Sequence, residues 1–249
     1  MTGFDGRTAI VTGAASGIGR AVAVALARNG ASVVAVDINK EAAREVVDSI
    51  RAEGGEASDI VADVTDHLAV KGVVDFAIQH YGALHLAFNN AGIGGPLGPV
   101  HEIDIDAYLG LMDLNLHSVF YGMHYEVPAM LAAGGGAIVN TSSILGTVGD
   151  AGAVAYVAAK HGVTGMTRAA ALDYAAQNIR INSVHPGYVE TPLLGNLSRE
   201  AYAGLALRHP MGRIATAAEI ADAVLYLLSD RASFITGTQL HVDGGYTAI

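Results

Sequence analysis

Apolar residues in this chain come in short uninterrupted runs, each closed by a glycine or an acidic residue. Each run is followed by a longer stretch whose apolar positions recur every three to four residues. Short continuous runs suit strands buried on both faces, and the wider spacing suits helices with one buried face. Thr8 to Val11 therefore predicts a first strand, stopped by Thr12-Gly13, and Arg20 to Arg28 a first helix. Ala31 to Val36 predicts a second strand ending at Asp37, and Lys40 to Glu53 a charged amphipathic helix. Further strands are expected at Ala57 to Ala62, Leu84 to Asn89, Gly136 to Thr141, Arg180 to Val184 and Gln239 to Val242, with helical stretches between them. Strands alternating with helices in this way imply an α/β Rossmann fold. Its seven-stranded parallel sheet would be joined by right-handed crossovers and covered on both faces.

No linker-like or low-complexity stretch interrupts the alternation and no fixed-period repeat is present, so residues 1–249 read as one domain. The long region without clear alternation is Tyr188 to Arg213, where Pro192, Gly195, Gly204, Pro210 and Gly212 stand among apolar residues. Long loops in compact domains are commonly lids or binding loops, so residues 188–213 are expected to border a substrate.

Composition narrows the chemistry. Half the residues are hydrophobic, which supplies a two-faced core and argues against disorder. A net charge of -10 with no Lys/Arg cluster would repel phosphate backbones and anionic lipid surfaces, so neither nucleic acid nor membrane is an expected partner. Cysteine is absent, which removes disulfides, thiolate metal sites and thiol nucleophiles. The first residues lack a basic segment followed by a long apolar stretch, and no apolar run approaches the ~18 residues of a membrane span, so a cytoplasmic location is expected. Asn140-Thr141-Ser142 and Asn196-Leu197-Ser198 match the glycosylation pattern and read as chance. The ten histidines form no two-histidine helical motif with a glutamate, and no metal site is expected.

Thr12 to Gly19, with Gly13, Ser16, Gly17, Ile18 and Gly19, sits where the first strand hands over to the first helix. Glycines there allow a tight turn and close approach to a pyrophosphate, and the helix N-terminus supplies donors and partial positive charge. A plain β-to-α connection would look similar. A triphosphate loop would need Lys then Ser or Thr after its last glycine, and Gly19 is followed by Arg20. Asp37 closes the second strand 18 residues after Gly19, where a carboxylate can accept bonds from both adenosine ribose hydroxyls, unless it only caps the next helix. Its charge would repel a 2′-phosphate and its neighbours Val36 and Ile38 offer no cation, so NAD is favoured over NADP. Asp63-Val64 ends the third strand and could meet the adenine edge or form an ordinary turn.

Tyr156 and Lys160 are four apart in Gly152 to Ala175, a segment with helical spacing, so both emerge on one face. A nearby ammonium and an oxidised nicotinamide would lower the phenol from its ordinary ~10 toward neutrality. A drop of ~3 corresponds to about 4 kcal/mol and would make Tyr156 a general base. Alone, such a pair is commonly a surface contact. Ser143, just after a strand, could hold a substrate oxygen at the carboxyl edge of the sheet, or could simply end the strand.

Taken together, Thr12 to Gly19, Asp63, Asn89-Asn90-Ala91-Gly92, Asn115, Ser143, Tyr156 with Lys160, and Pro186-Gly187 followed by Thr191 resemble the short-chain dehydrogenase/reductase family over nearly the whole chain. The resemblance implies a tetrad. Tyr156 would be the acid/base, Lys160 would lower its pKa and bind the nicotinamide ribose, Ser143 would polarise the substrate, and Asn115 would support a water relay. Ser143 rather than Ser142 takes the role because it lies 13 residues before Tyr156. Asn90, Ala91 and Gly92 would line the adenosine side, and Pro186, Gly187, Val189 and Thr191 the nicotinamide. His185 stands where the family usually has a smaller residue, and its ring is expected to be incidental.

On the substrate side, Leu193, Leu194, Leu197, Tyr202, Leu205 and Met211 would face a mainly apolar ligand, with Gly94, Gly95, Pro96, Ile144, Leu145, Val154 and Tyr188 as further wall positions and no cation placed to hold a carboxylate. Such leucines are as often plain core. A neutral, small secondary alcohol or ketone is the expected substrate, and similarity points to the family's cyclic-alcohol and dihydrodiol dehydrogenases. The alternatives are a 3-oxoacyl-carrier-protein reductase using NADPH, disfavoured by Asp37 and the acidic balance, and a non-catalytic nucleotide-binding regulator. The resemblance also implies a homotetramer assembled through the helix at Ala151 to Ala176 and the one at Ala217 to Ser229.

Overall fold

The computed structural model describes residues 3–195 and 198–248. Seven parallel strands form one sheet: β1 Thr8–Thr12, β2 Ser32–Asp37, β3 Glu56–Val61, β4 Leu86–Asn89, β5 Gly136–Thr141, β6 Ile179–Pro186 and β7 Gln239–Val242. Their spatial order is β3-β2-β1-β4-β5-β6-β7. The chain first winds outward from β1 to β3, then returns past β1 to lay down β4. That reversal opens a crevice at the carboxyl ends of β1 and β4, where ligands of open α/β sheets bind.

Side chains alternate along each strand, so each strand feeds both faces. Ala9, Val11, Val33, Ala35, Phe88 and Val139 pack against α1 Gly17–Arg28, α2 Lys40–Ala52 and α8 Ala217–Leu228. Ile10, Val34, Ala87, Ile138 and Ile181 pack against α3 His67–Tyr81, α5 Ser118–Ala132 and α6 Val154–Tyr174. Two apolar faces explain why the strands read as unbroken apolar runs. Between β4 and α5 lies α4 Ile105–Met112, and a π-helical turn at Asp113–His117 joins α4 to α5.

Beside shifts of one or two residues at the ends of β3 and β6, the structure departs from the sequence expectation in three places. The first helix is bounded at Gly17, inside the glycine turn: Gly17 turns the chain with a φ of 52°, and Gly19 lies in the first helical turn. The fourth strand begins at Leu86 rather than Leu84, although the His85 N–H still bonds the Thr8 carbonyl. The region read as lacking alternation carries α7 Arg199–Leu207, whose N-cap Ser198 accepts the Ala201 N–H at 3.2 Å. Gly204 and Ala206 had blurred its apolar spacing. Leu197 and the second glycosylation match at Asn196 lie outside the described residues. Among the described residues no helix is long and apolar enough to cross a membrane.

Candidate active site

At the crevice the glycines are fixed by contact. A Cβ on Gly19 would fall 2.1 Å from the Gly13 carbonyl oxygen, and Gly13 and Gly17 hold φ of 63° and 52°, which other residues rarely adopt. Ser16 is the N-cap of α1, yet its side chain caps none of the first-turn N–H groups, and no acidic residue stands in that turn. These donors stay available for an anion. A Cβ on Gly17 would meet Thr191 at 3.0 Å, so the segment after β6 closes over the turn. From the other side, the Thr12 hydroxyl accepts the Asn90 and Ala91 N–H groups at 2.9 and 3.1 Å, and Asn90 Nδ2 donates to the Thr12 carbonyl at 3.0 Å.

Asp37 does not cap the second helix; that is Asn39, whose Oδ1 accepts the Ala42 N–H. One Asp37 oxygen takes the Ala15 N–H and the other the Asn39 N–H, both at 3.0 Å, which ties the end of β2 to the glycine turn. Each oxygen keeps a lone pair for a ribose hydroxyl. Ile38 beside it is 69% exposed and forms an apolar lip. Asp63 is exposed and accepts from the Thr65 N–H and hydroxyl. Val64 is buried in the sheet's second core, so its backbone alone could meet an adenine. A cradle with no room for Cβ atoms, free helix N–H groups and a carboxylate at the second strand fit a dinucleotide.

Ser143, Tyr156 and Lys160, three of the four candidate catalytic residues, meet beyond β5, while Asn115 holds the loop after β4. Ser142 hydrogen-bonds the Lys160 carbonyl at 3.0 Å and the Thr164 hydroxyl at 2.9 Å, so it pins β5 to α6. The Ser143 hydroxyl accepts the Leu145 N–H at 3.1 Å and lies beside the Tyr156 phenol. Of the two serines, Ser143 is the one that meets the phenol. Lys160 is buried, its Nζ 5.5 Å from the Tyr156 ring centre and donating to the Thr141 carbonyl at 2.8 Å. Two of its three N–H groups remain for other partners. Asn115, fully buried in the π-helical turn, pairs both ways with the Ile93 backbone: Oδ1 accepts its N–H at 2.9 Å and Nδ2 donates to its carbonyl at 2.7 Å. The amide anchors the loop after β4. A single-turn π-bulge of this kind frees helix carbonyls.

In the chain alone, without the nicotinamide charge that the expectation also invoked, burial sets the pKa directions of the pair. Burial pushes the Tyr156 phenol up, the hydrogen bond from Ser143 partly opposes this, and Tyr188 adds to the rise. Burial pushes the Lys160 ammonium down to about 8. Desolvation is the leading cause for both groups and favours the neutral form of each.

His185 is likewise not incidental: its Nδ1 lies 2.9 Å from the Ser143 carbonyl oxygen and its Nε2 lies 2.9 Å from the Ser183 hydroxyl. Pro186 ends β6, the Gly187 N–H bonds the Val242 carbonyl, and Val189 is buried beside Ala215.

On the substrate side, Leu145 and Ala153 pack with Tyr156, Tyr188 and Tyr246, and a Cβ on Gly94 would lie 3.8 Å from the Leu193 side chain. Ile144 is buried below that surface, whereas Val154, Leu193 and Met211 are exposed. Sequence reasoning had found no cation here, but Arg208 of the 188–213 region donates to the Tyr188 hydroxyl at 2.8 Å, to the Tyr246 hydroxyl at 2.6 Å, and with two nitrogens to Asp150 at 3.1 and 3.3 Å. Contacts so distant in sequence leave no local pattern to read.

The profile of the family described as "Enoyl-(Acyl carrier protein) reductase" matches residues 13–247. Cyclohexanol dehydrogenase of Acinetobacter sp. strain SE19 is 54% identical over 98% of this chain and 96% of its own length. Cis-4-hydroxycyclohexanecarboxylate dehydrogenase of Sinomonas cyclohexanicum is 46% identical over 99% and 98%. The solved structure of carveol dehydrogenase from Mycobacterium avium in complex with NAD superposes with a TM-score of 0.95, at 31% identity and full coverage of both chains. The chain belongs to the short-chain dehydrogenase/reductase family of oxidoreductases, which use NAD or NADP.

Proposed function

We propose that this protein is an NAD-dependent dehydrogenase that interconverts a small cyclic secondary alcohol and its ketone. The observation that carries the reading is the meeting of Ser143, Tyr156 and Lys160 at the carboxyl edge of β5, beside a glycine cradle whose helix N–H groups are free. The 54% identity to a cyclohexanol dehydrogenase supports the substrate class. NAD, when bound, supplies the hydride acceptor and, in its oxidised form, the positive charge that favours a phenolate. The Ser143 hydroxyl donates to the substrate oxygen, and Tyr156 Oη takes the hydroxyl proton in oxidation and returns it in reduction. Lys160, held by the Thr141 carbonyl, turns its remaining N–H groups toward the nicotinamide ribose and the phenol. Asn115 acts through its backbone carbonyl, since its amide is occupied by Ile93.

Asp37 accepts the adenosine ribose hydroxyls, with Asp63 and Val64 at the adenine and Pro186 to Thr191 along the nicotinamide. This is the basis for NAD rather than NADP. Arg208 leaves the pocket without net positive charge, because Asp150 neutralises it, which suits an uncharged ring held by Leu145, Tyr188, Leu193 and Leu194. Apolar residues exposed on α6 and near α8, Leu172, Tyr226 and Phe234, support assembly as a homotetramer.

Secondary alcohols, cyclic and linear, offered with NAD or NADP while reduced nicotinamide is followed by absorbance, test the reading. The expected result is NAD-linked oxidation of cyclic alcohols that falls about 10²–10⁴-fold in Tyr156→Phe while NAD still binds. NADPH-linked reduction of acyl thioesters alone, nucleotide binding without turnover, or a Tyr156→Phe protein as fast as the parent would each overturn it.

A further inference from the structure

We infer that His185 is a positioning residue for Ser143, its imidazole fixing the peptide from which the serine hydroxyl reaches the substrate oxygen. The inference rests on the proposed role of Ser143 in holding that oxygen.

Ser143 stands just past the sheet. The last ladder bond on this strand is from the Ser142 N–H to the Val184 carbonyl, and the backbone then turns away into Ile144–Gly146. Beyond that bond the Ser143 peptide is held through its carbonyl oxygen, which takes two donors: the Gly146 N–H at 2.9 Å and His185 Nδ1 at 2.9 Å. The first is a bond within the same short turn and moves with it. The second ties the Ser143 carbonyl itself to β6, whereas the other ties of the turn, Thr147 to His241 and Gly146 to Thr164, fall three or more residues further on.

The imidazole suits this task. It is 0% exposed and sits one strand over from Ser143. A carbonyl oxygen only accepts, so Nδ1 carries the proton, and Nε2 is left to accept from the Ser183 hydroxyl at 2.9 Å. Both ring nitrogens are therefore committed, and the ring cannot flip without breaking two bonds. The Thr147 hydroxyl, 3.3 Å from His185 Nδ1 and 3.0 Å from His241 Nε2, and the His241 ring at 4.8 Å close the remaining sides. Because Ser143 Oγ is itself held by the Leu145 N–H, rotation of this peptide carries the hydroxyl with it. A displacement of about 1 Å at a catalytic donor can cost on the order of 10²-fold in rate.

The test compares kcat, KM for alcohol and NAD, and melting temperature in His185→Leu, which deletes the donor, and His185→Asn, whose amide nitrogen overlies Nδ1. Both are made in the parent and in Ser143→Ala. His185→Leu is expected to lower kcat about 10-fold or more with KM for NAD unchanged, and His185→Asn to restore most of that loss. In Ser143→Ala, which is itself slow, His185→Leu should change kcat by less than about 2-fold, because the residue acts through the missing hydroxyl. If the leucine protein does not fold, His185→Gln, whose amide overlies Nε2, replaces it with the same expected loss. The same fold-loss in both serine backgrounds, or asparagine no better than leucine, overturns the inference and leaves the proposed function standing. A Ser143→Ala protein as fast as the parent overturns the role of Ser143 and the inference with it.

Discussion

Glu126 on α5 offers a measurable consequence of burial. Its side chain is 2% exposed and sits under the sheet, where Asn89 Nδ2 donates to Oε2 at 3.0 Å and to Asn140 Oδ1 at 3.1 Å. Beside it lies a cavity of about 10 Å³, room for one water, lined by Thr12, Asn89, Ser118 and several valines. Burial raises this carboxyl from 4.5 to about 7, and the bond from Asn89 offsets only part of the rise. The folded protein thus holds a proton that the unfolded chain releases between pH 4.5 and 7, so Glu126 costs stability as pH climbs through that window. At ~1.4 kcal/mol per pH unit over a rise of about 2.5, the loss is about 3 kcal/mol, complete above the folded pKa. His185 runs the other way. Burial and the neighbouring His241 lower it from 6.5 to about 4, so the unfolded chain binds the extra proton and stability rises with pH across nearly the same range. The two contributions oppose each other in the parent, and His85, lowered by burial, adds to the rise, so the Glu126 share is read from the difference between parent and variant. Glu126→Gln, close to isosteric and able to accept from Asn89, removes one of them. Urea unfolding of parent and variant at one protein concentration should give similar midpoints at pH 4.5. By pH 8 the variant should lead by about 3 kcal/mol, or roughly 6–12 °C in melting temperature. A difference that stays constant within ~0.5 kcal/mol from pH 4.5 to 8 would refute the assignment of a protonated Glu126.

Three further outcomes follow from the site. Asp37→Ser combined with Ile38→Arg removes the charge proposed to read the adenosine ribose and adds one that would attract a 2′-phosphate. The ratio of kcat/KM for NADP over NAD should rise about 10²-fold, and an unchanged ratio would show that Asp37 does not read the ribose. Gly19→Ala places a methyl 2.1 Å from the Gly13 carbonyl, so calorimetry should record NAD binding weakened at least ~10-fold; parent-like affinity would mean the cradle does not hold the pyrophosphate. Arg208→Ala releases Asp150, Tyr188 and Tyr246 together. The ion pair alone is worth about 1 kcal/mol or less at 39% and 26% side-chain exposure, so with the tyrosine bonds KM for alcohol should rise about 3–10-fold while kcat stays within ~2-fold. A fall in kcat at constant KM would contradict a role in shaping the pocket.

How far the site was legible depended on how local each cause is. Strands buried on both faces write themselves as apolar runs, and all seven were visible, as was the glycine turn between β1 and α1. The start of α1 was hidden because glycine disfavours helix on propensity, yet at position 19 the Gly13 carbonyl leaves room for nothing else. The π-helical turn at Asn115 and the Arg208 cluster with Tyr188 and Tyr246 depend on contacts across the fold, and neither spacing nor composition encodes those. The Tyr156–Lys160 pair shows the same division within one interaction. Four residues of helix are enough to bring an amine beside a phenol, and the structure brings them to 5.5 Å. Charge arithmetic on that spacing lowers the phenol by counting two close positive charges, a full ammonium and an oxidised nicotinamide. Depth alters the first of these, since the desolvation that raises Tyr156 also brings Lys160 down to about 8, where its charge is no longer assured. The resting phenol is biased toward its neutral form. A proton-accepting phenolate therefore needs charge from outside the chain, which would couple the base to occupancy of the dinucleotide cradle next to it.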